Sequence, residues 1–435
     1  MKRFRQAPLV LALTLATAWP VHAQQDHSAA ADVMQQPDNP EPPPSDSTAP
    51  LPADDGPAPD LALSREIGER GLASVQARLA DLADPAPQDR FALAGLRFLG
   101  AIETALQARW QVGLSEEVGN LPVLRLPIPA NPAPDPLRPE LLAEVLADLT
   151  ETMAQARAPL AGLEDEFGLD IDLADIWFDV NADGTREDGE GLIDIAGDLL
   201  GIGPAAPWAE PQPVPVIRFD TADAAWLSAY THLMSGTAQV VLAYDPTGPI
   251  RDAMETRAAF AELTNFETMP LGGFVEDSWL DAVAIVINTL KQQPDTAHAS
   301  AAHADFLAMI AENRRFWALV AQETDNTREW IPNAQQSSAT GIALPPETGA
   351  AWQEVLAEVE LVLNGEALIP YWRGDAGVNV RQVFLDPRPV DLIGWIQGAS
   401  ALPYLEQGEM ASSGAISYFD MLMEGNGMLM AVWLN

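Results

Sequence analysis

Oxygen-bearing side chains recur at alternate positions in one short stretch of this 435-residue chain. Residues 179–190 read Asp-Val-Asn-Ala-Asp-Gly-Thr-Arg-Glu-Asp-Gly-Glu. The positions that can supply an oxygen ligand are Asp179, Asn181, Asp183, Thr185, Glu187 and Glu190. A hard cation such as Ca²⁺ takes several oxygens from alternate residues of a tight loop, and a glycine, here Gly184, permits the sharp turn. The residue types and their spacing therefore predict that these residues bind calcium.

The spacing resembles the calcium loop of the EF-hand, D-x-[DN]-x-[DN]-G-x5-E. The resemblance covers the loop and its two flanks, and no more of the chain. It implies that the first three ligands offer side-chain oxygens and that the fourth offers its backbone carbonyl. The fifth ligand acts directly or through water, and the last, Glu190, binds with both carboxylate oxygens.

Apolar residues recur at helical spacing on both sides of the loop. Leu173, Ile176 and Trp177 precede it and residues 192–199 follow it, so the resemblance implies a helix-loop-helix unit. Arg186 stands where such loops usually carry an apolar residue that pairs with a second loop, and no second stretch of the sequence matches the pattern. We therefore expect a solitary loop that acts as a structural staple rather than as half of a sensor pair.

Negative charge surrounds the loop and extends over the whole chain. Between Glu164 and Asp198 there are thirteen acidic residues, and Arg186 is the one basic residue. Such density favours a bound cation, because the acids repel one another. The chain as a whole carries 63 acidic against 23 basic residues, a formal net charge of −40, so an acidic solvated turn without a metal is the alternative interpretation. This charge argues against nucleic acid and anionic membrane surfaces as partners, because both would be repelled.

The N-terminus predicts export. Residues 1–23 combine a basic start, an apolar stretch and small residues at Val21 and Ala23, which is typical of a secretory signal peptide cleaved after Ala23. Residues 24–60 hold nine prolines and predict a disordered tether. The chain has no cysteine, which excludes disulfides and thiolate chemistry. We expect a periplasmic or secreted protein of a Gram-negative bacterium, without membrane insertion.

Helical periodicity dominates the remainder. Apolar stripes recur along several long segments, and alternation of period two never persists. Two proline-rich crossings, 121–139 and 204–215, separate the stripes. The expected fold is an all-α, multi-helix globular protein, in one body or in two helical lobes comprising 61–203 and 216–435.

One further group of residues suggests a ligand site. Tyr371, Trp372, Arg373, Arg381 and Arg388 lie close together in a chain with few positive charges. Arginine forks beside aromatic faces suit an anionic or sugar-like ligand. The alternative is that the nearby aspartates neutralise these arginines and that the aromatic rings pack in the core.

No catalytic signature is present in the sequence. The G-x-S-x-G and H-E-x-x-H motifs are absent, and Lys291 is the one lysine after residue 23. His298 and His303 lie five positions apart, and we expect ordinary surface histidines there rather than a metal pair. The sequence favours a calcium-binding protein with a binding or scaffolding role. A carboxylate-dependent hydrolase of cell-envelope polymers and a calcium sensor are the alternatives.

Overall fold

A computed structural model describes residues 56–114, 126–200, 202, 213–263 and 278–434. The predicted signal peptide, residues 24–55 of the predicted tether, residues 121–125 of the first proline-rich crossing and residues 204–212 of the second lie outside these residues. Across the described part, every helix is too short or too polar to cross a membrane.

The described chain is mostly helical, as the sequence predicts. The helices are α1 Ala62–Ala80, α2 Pro87–Gln111, α3 Leu141–Arg157, α4 Leu192–Leu200, α5 Thr221–Tyr244, α6 Thr247–Leu263, α7 Ser278–Leu290, α8 Thr296–Val320, α9 Thr348–Leu363, α10 Val380–Leu385, α11 Leu392–Gln397, α12 Gly414–Leu422 and α13 Gly427–Leu434.

Two small antiparallel sheets correct the all-α expectation. The first pairs β1, Gly168–Asp172, with β2, Val216–Asp220. The second orders three two-residue strands as β3–β4–β5, namely Ile369–Pro370, Gly377–Val378 and Leu405–Glu406. Strands this short give too few alternating residues for a period-two pattern to stand out from the sequence.

The central pair of the fold is α5 against α8, with α3 packed on α5 and α2 packed on α3. Small buried residues on α5 allow the helices to approach closely, and a Cβ placed on Gly236 would lie 2.9 Å from the Phe306 ring of α8. One hydrophobic core contains Leu106 of α2, Ile310 of α8 and Leu434 at the end of α13. The predicted regions 61–203 and 216–435 therefore share a core.

The N-terminal flank of the 179–190 loop is not the helix that the resemblance implied. After β1 the chain makes a single 3₁₀ turn, Leu173–Asp175, and then runs extended into the loop. The Asp172 carboxylate caps this turn by accepting the Ala174 N–H at 2.9 Å. The apolar residues of the predicted stripe are buried, but they reach the core from the 3₁₀ turn and from the extended segment that follows it. The C-terminal flank is helical as expected, since α4 begins at Leu192.

The last residues of the predicted tether contact the folded region. The Asp60 N–H donates to the Asp170 carboxylate at 3.0 Å, and Arg328 donates to the Pro57 carbonyl at 3.1 Å. Asp60 also accepts the Ala62 N–H at the start of α1. Residues 56–60 therefore belong with the fold.

We predict a sharp difference between two N-terminal truncations. A chain that starts at residue 56 keeps every contact described above and should melt at the temperature of the chain that starts at residue 24. A chain that starts at residue 61 loses the bonds to Asp170 and Arg328 and should melt several degrees lower. Thermal unfolding followed by circular dichroism measures both. Equal melting temperatures for all three chains would show that residues 56–60 do not stabilise the fold.

Candidate functional site

Backbone N–H groups shape the first half of the 179–190 loop. The two carboxylate oxygens of Asp179 accept the N–H groups of Asp183 at 3.0 Å and Gly184 at 2.9 Å. Gly184 has φ = 77°, a conformation that glycine adopts without strain. The turn that the sequence placed at Gly184 is therefore present, and it points the first ligand inward.

The middle of the loop brings further predicted ligands together. The Asp183 carboxylate accepts the Thr185 N–H at 2.7 Å. The Asn181 amide nitrogen donates to the carboxylates of Asp183 at 3.1 Å and Glu187 at 3.2 Å. The Asn181 amide nitrogen therefore lies between two acids, while its amide oxygen accepts the Asp183 N–H at 2.9 Å.

Glu190 closes the loop from inside the protein. Its side chain is 1% exposed, and its two oxygens accept the N–H groups of Val180 at 3.0 Å and Glu187 at 2.9 Å. Burial raises the pKa of this carboxyl above its usual value. A β-bridge between Trp177 and Gly191 joins the two ends of the loop. The last ligand of the predicted set is thus buried and accepts a backbone hydrogen bond at each oxygen.

Basic side chains do not neutralise this loop. Within the described ranges, no ion pair reaches Asp179, Asp183, Glu187 or Glu190. Arg186 turns back to donate to the Ala174 carbonyl at 3.0 Å, on the preceding flank. The loop acids therefore accept hydrogen bonds from backbone and amide N–H groups only, and their carboxylate oxygens are ligands of the kind that a hard cation takes.

The oxygens are not assembled into a finished metal site. Among the described residues, no three His, Cys, Asp or Glu side chains form a group that could hold a metal ion. The spacing, the turn and the charge fit calcium, but the carboxylate side chains would have to move closer together to coordinate the ion. Calcium binding is therefore a proposal.

Trp177 anchors the N-terminal end of the loop to α1. Its indole nitrogen donates to the Ile67 carbonyl at 3.3 Å, beside a kink at Gly71 where φ is 76°. A Cβ on Gly71 would lie 3.1 Å from the Trp177 ring. Glycine at this kink therefore serves two purposes, since it allows both the backbone conformation and the close approach of the ring.

Glu103 of α2 is a residue that the sequence did not single out. It is 8% exposed and accepts the Asp179 N–H at 2.8 Å. Burial, together with the charges of Asp179 and Glu190, raises the pKa of Glu103 to about 7. Glu103 lies 76 positions before Asp179, so no local pattern connects the two residues.

The structure brings only part of the predicted aromatic–arginine site together: the Tyr371 and Trp372 rings lie 6.1 Å apart, and Tyr371 and Arg373 both bond carbonyls of α11. Tyr371 is buried and its hydroxyl donates to the Trp395 carbonyl, whereas Trp372 is 62% exposed. Arg373 donates to the Gln397 carbonyl at 3.0 Å. The other two arginines are exposed, Arg381 on α10 and Arg388 in an ion pair with Asp386 at 2.9 Å. Local neutralisation by an aspartate thus accounts for one of the three arginines.

The described histidines make hydrogen bonds that hold helices together. His303 is buried, contrary to the surface position expected, and its Nε2 bonds the Leu363 carbonyl at 2.8 Å. His232 contacts Asp305 at 2.7 Å between α5 and α8. His298 contacts Gln239 across the same helix pair. They do not converge on one point as a metal pair would.

A second group of acids lies where α5 begins and where the chain leaves α8. Burial raises the pKa of Asp223 well above its usual value, and the neighbouring charge of Asp220 adds to the effect. Burial and the charge of Asp220 raise the pKa of Glu323 to about 7. Burial raises the pKa of Glu329 to about 8, with contributions from the charges of Glu323 and Asp325. We call this group, which consists of Asp220, Asp223, Glu323, Asp325 and Glu329, the carboxylate cluster.

A cavity of about 240 Å³ adjoins the chain segment that carries this cluster. Its lining is part polar and part apolar and contains none of the five acids; the lining residues are Pro215, Val216, Asn326, Arg328, Ser337, Ser338 and Ala339. Carboxyl groups with raised pKa values beside a cavity are candidates for acid–base chemistry, although structural networks perturb pKa values in the same way. The sequence could not indicate these acids, because 63 acidic residues offer no basis for choosing five.

No protein-family model, curated protein or solved structure matches the chain. The case for a function therefore rests on the chemistry of its own residues.

The carboxylate cluster predicts how stability depends on pH. A carboxyl group titrates near 4.5 in the unfolded chain, whereas Glu329 holds its proton to about pH 8 in the folded protein. Between these values the folded state binds more protons, so the free energy of unfolding should fall as the pH rises. Glu329→Gln keeps the oxygen that accepts the Thr327 N–H and removes the charge. We expect it to raise the melting temperature at pH 8.5 by a few degrees and to change it little at pH 4.5.

Glu354→Gln, at an exposed position of α9, is the matched control for the loss of one negative charge. Differential scanning calorimetry of both variants at the two pH values makes the comparison. An equal effect of both substitutions at pH 8.5 would assign the stabilisation to net charge and not to the cluster.

Proposed function

We propose that this protein is an exported, mostly helical calcium-binding protein with a binding or scaffolding role in the periplasm or cell envelope. The observation that carries the proposal is the 179–190 loop. It has the full spacing of oxygen ligands, a glycine turn at the required position and no basic side chain paired with its acids.

Calcium would act as a local staple. The ligands would be Asp179, Asn181, Asp183, Thr185, Glu187 and Glu190. The acids of the loop now accept hydrogen bonds only from uncharged N–H groups, so they still repel one another. A bound cation would remove this repulsion. An ion that binds the folded state alone stabilises it by RT ln(1 + [L]/Kd), which is about 2.7 kcal/mol at a hundredfold excess over Kd.

A sensor role is less well supported than a staple. EF-hand sensors expose an apolar groove when a helix pair opens. Here the N-terminal flank is a 3₁₀ turn and an extended segment, so this loop lacks the first helix of such a pair. Arg186, at the position that usually pairs with a second loop, donates instead to the Ala174 carbonyl on the N-terminal flank.

A carboxylate-dependent hydrolase acting on envelope polymers is the second candidate function. The carboxylate cluster beside the 240 Å³ cavity favours it, because Glu329 keeps its proton near neutral pH as a general acid must. Release of reducing ends from purified cell-wall polymer would support this function if Glu329→Gln abolished it. No release by the wild-type protein would leave the cluster with a structural role.

We predict one calcium site with a dissociation constant of about 10⁻⁴ to 10⁻³ M, the range of extracellular modules. Isothermal titration calorimetry on metal-stripped protein measures it. Glu190→Gln should weaken binding strongly, because it removes the negative charge of the buried last ligand. Asp188→Asn is the matched control, since Asp188 lies in the same loop outside the ligand set and is exposed.

The two variants separate specific coordination from general attraction. Specific coordination requires that Asp188→Asn bind like the wild type. Equal weakening in both variants would mean that calcium is only attracted to the acidic surface. Absence of binding heat at millimolar calcium in the wild-type protein would refute the proposed function.

A further inference from the structure

We propose that α2 takes the structural place of a second calcium loop, with Glu103 and Gln107 positioning the first ligand and thereby setting calcium affinity. This inference rests on the proposed calcium function. It concerns residues outside the loop, which act on the site through Asp179 and do not touch the ion.

Two side chains of α2 hold both backbone polar groups of Asp179. Glu103 accepts the Asp179 N–H at 2.8 Å, and Gln107 donates to the Asp179 carbonyl at 2.7 Å. Residues four apart on a helix lie on the same face, so one surface of α2 clamps a single residue of the loop. This clamp fixes the position of Asp179 relative to the helical body.

Asp179 is the residue through which such a clamp has most effect. Its carboxylate accepts the N–H groups of Asp183 and Gly184, so its placement determines where the turn begins. Groups that orient a metal ligand without touching the metal typically change affinity by about 10- to 100-fold when they are removed. A loop that starts from a fixed point loses less conformational entropy when it closes on an ion.

The same contacts explain how a solitary loop keeps its shape. Loops of the EF-hand type usually pair with a second loop through the position that Arg186 occupies, and Arg186 here donates to Ala174 of its own chain segment. The described support for the start of this loop comes instead from α2 and from Trp177, two residues before Asp179, whose indole nitrogen donates to the Ile67 carbonyl of α1. Loop and helix then form one unit for ion binding.

Calorimetric calcium titrations of four variants test the proposal. Glu103→Ala removes the acceptor for the Asp179 N–H, whereas Glu103→Gln retains an acceptor oxygen without the charge. Gln107→Ala removes the donor to the Asp179 carbonyl at a half-buried position, so it keeps the test available if Glu103→Ala fails to fold. Thr104→Ala is the control, since Thr104 is exposed on the same helix and bonds only Gly100 within it.

If Glu103 and Gln107 position Asp179, the four variants should differ in calcium affinity and should not all lose it. Glu103→Ala and Gln107→Ala should weaken calcium binding by about tenfold or more, Glu103→Gln should recover most of the affinity, and Thr104→Ala should bind like the wild type. Hydrogen exchange at the Asp179 amide in metal-free protein should accelerate in Glu103→Ala and stay slow in Glu103→Gln.

The outcomes separate this inference from the proposed function. A wild-type protein that binds calcium, with every α2 variant binding equally well, would overturn the positioning role and leave the calcium site intact. Glu103→Gln as weak as Glu103→Ala would also overturn it, because charge and not the hydrogen bond would then set the affinity. A wild-type protein that binds no calcium would instead refute the proposed function.

Discussion

Hydrogen bonds from main-chain N–H groups, and not ion pairs, hold Asp179 and Glu190, the first and last acids of the 179–190 loop. Asp179 and Glu190 each accept two such bonds, one at each oxygen. Every oxygen keeps a second lone pair, so the loop can be shaped in this way and still accept a cation. Repulsion among the acids persists because Arg186, the one basic side chain of the loop, donates to the Ala174 carbonyl and forms no ion pair with them. A divalent cation is the simplest partner that would complete this arrangement.

The remainder of the fold supports the two ends of the loop and leaves its middle exposed. The Trp177–Gly191 bridge, the kink at Gly71 and the α2 contacts to Asp179 all act on the ends. Glu190 is buried, whereas residues 182–188 are exposed. An ion would therefore reach the loop from solvent and would order residues 182–188 without moving the core. This is the physical reason to expect a local stabiliser and not a switch.

The sequence predicted the features that depend on local spacing. The turn at Gly184 and the helix that begins at Leu192 follow from residues within a few positions of one another. It could not predict the β1–β2 pairing, because each strand has five residues and the partners lie far apart in the chain. Helical spacing at Leu173 and Ile176 was misleading, since buried residues of a 3₁₀ turn and an extended segment can match it over so short a stretch.

The long-range contacts were invisible for a different reason. Glu103 approaches Asp179 only because α2 packs beside the loop, and the carboxylate cluster forms only because the start of α5 meets the chain after α8. Neither grouping has a spacing in sequence that would distinguish it among 63 acids. The aromatic–arginine group shows the converse, because residues that are close in sequence, such as Tyr371 and Trp372, have one buried and one exposed side chain.

Hydrogen exchange with and without calcium tests the central claim most directly. The claim is that calcium orders the exposed part of the 179–190 loop and stabilises the protein locally. Mass-spectrometric exchange of the wild-type protein, in millimolar calcium and in chelator, should show calcium-dependent protection confined to residues 170–200. Calcium-dependent deprotection of a distant apolar face, such as that of Leu280, Val283 and Val286 on α7, would show a sensor and contradict the account. Identical exchange under both conditions would show that the loop binds no calcium.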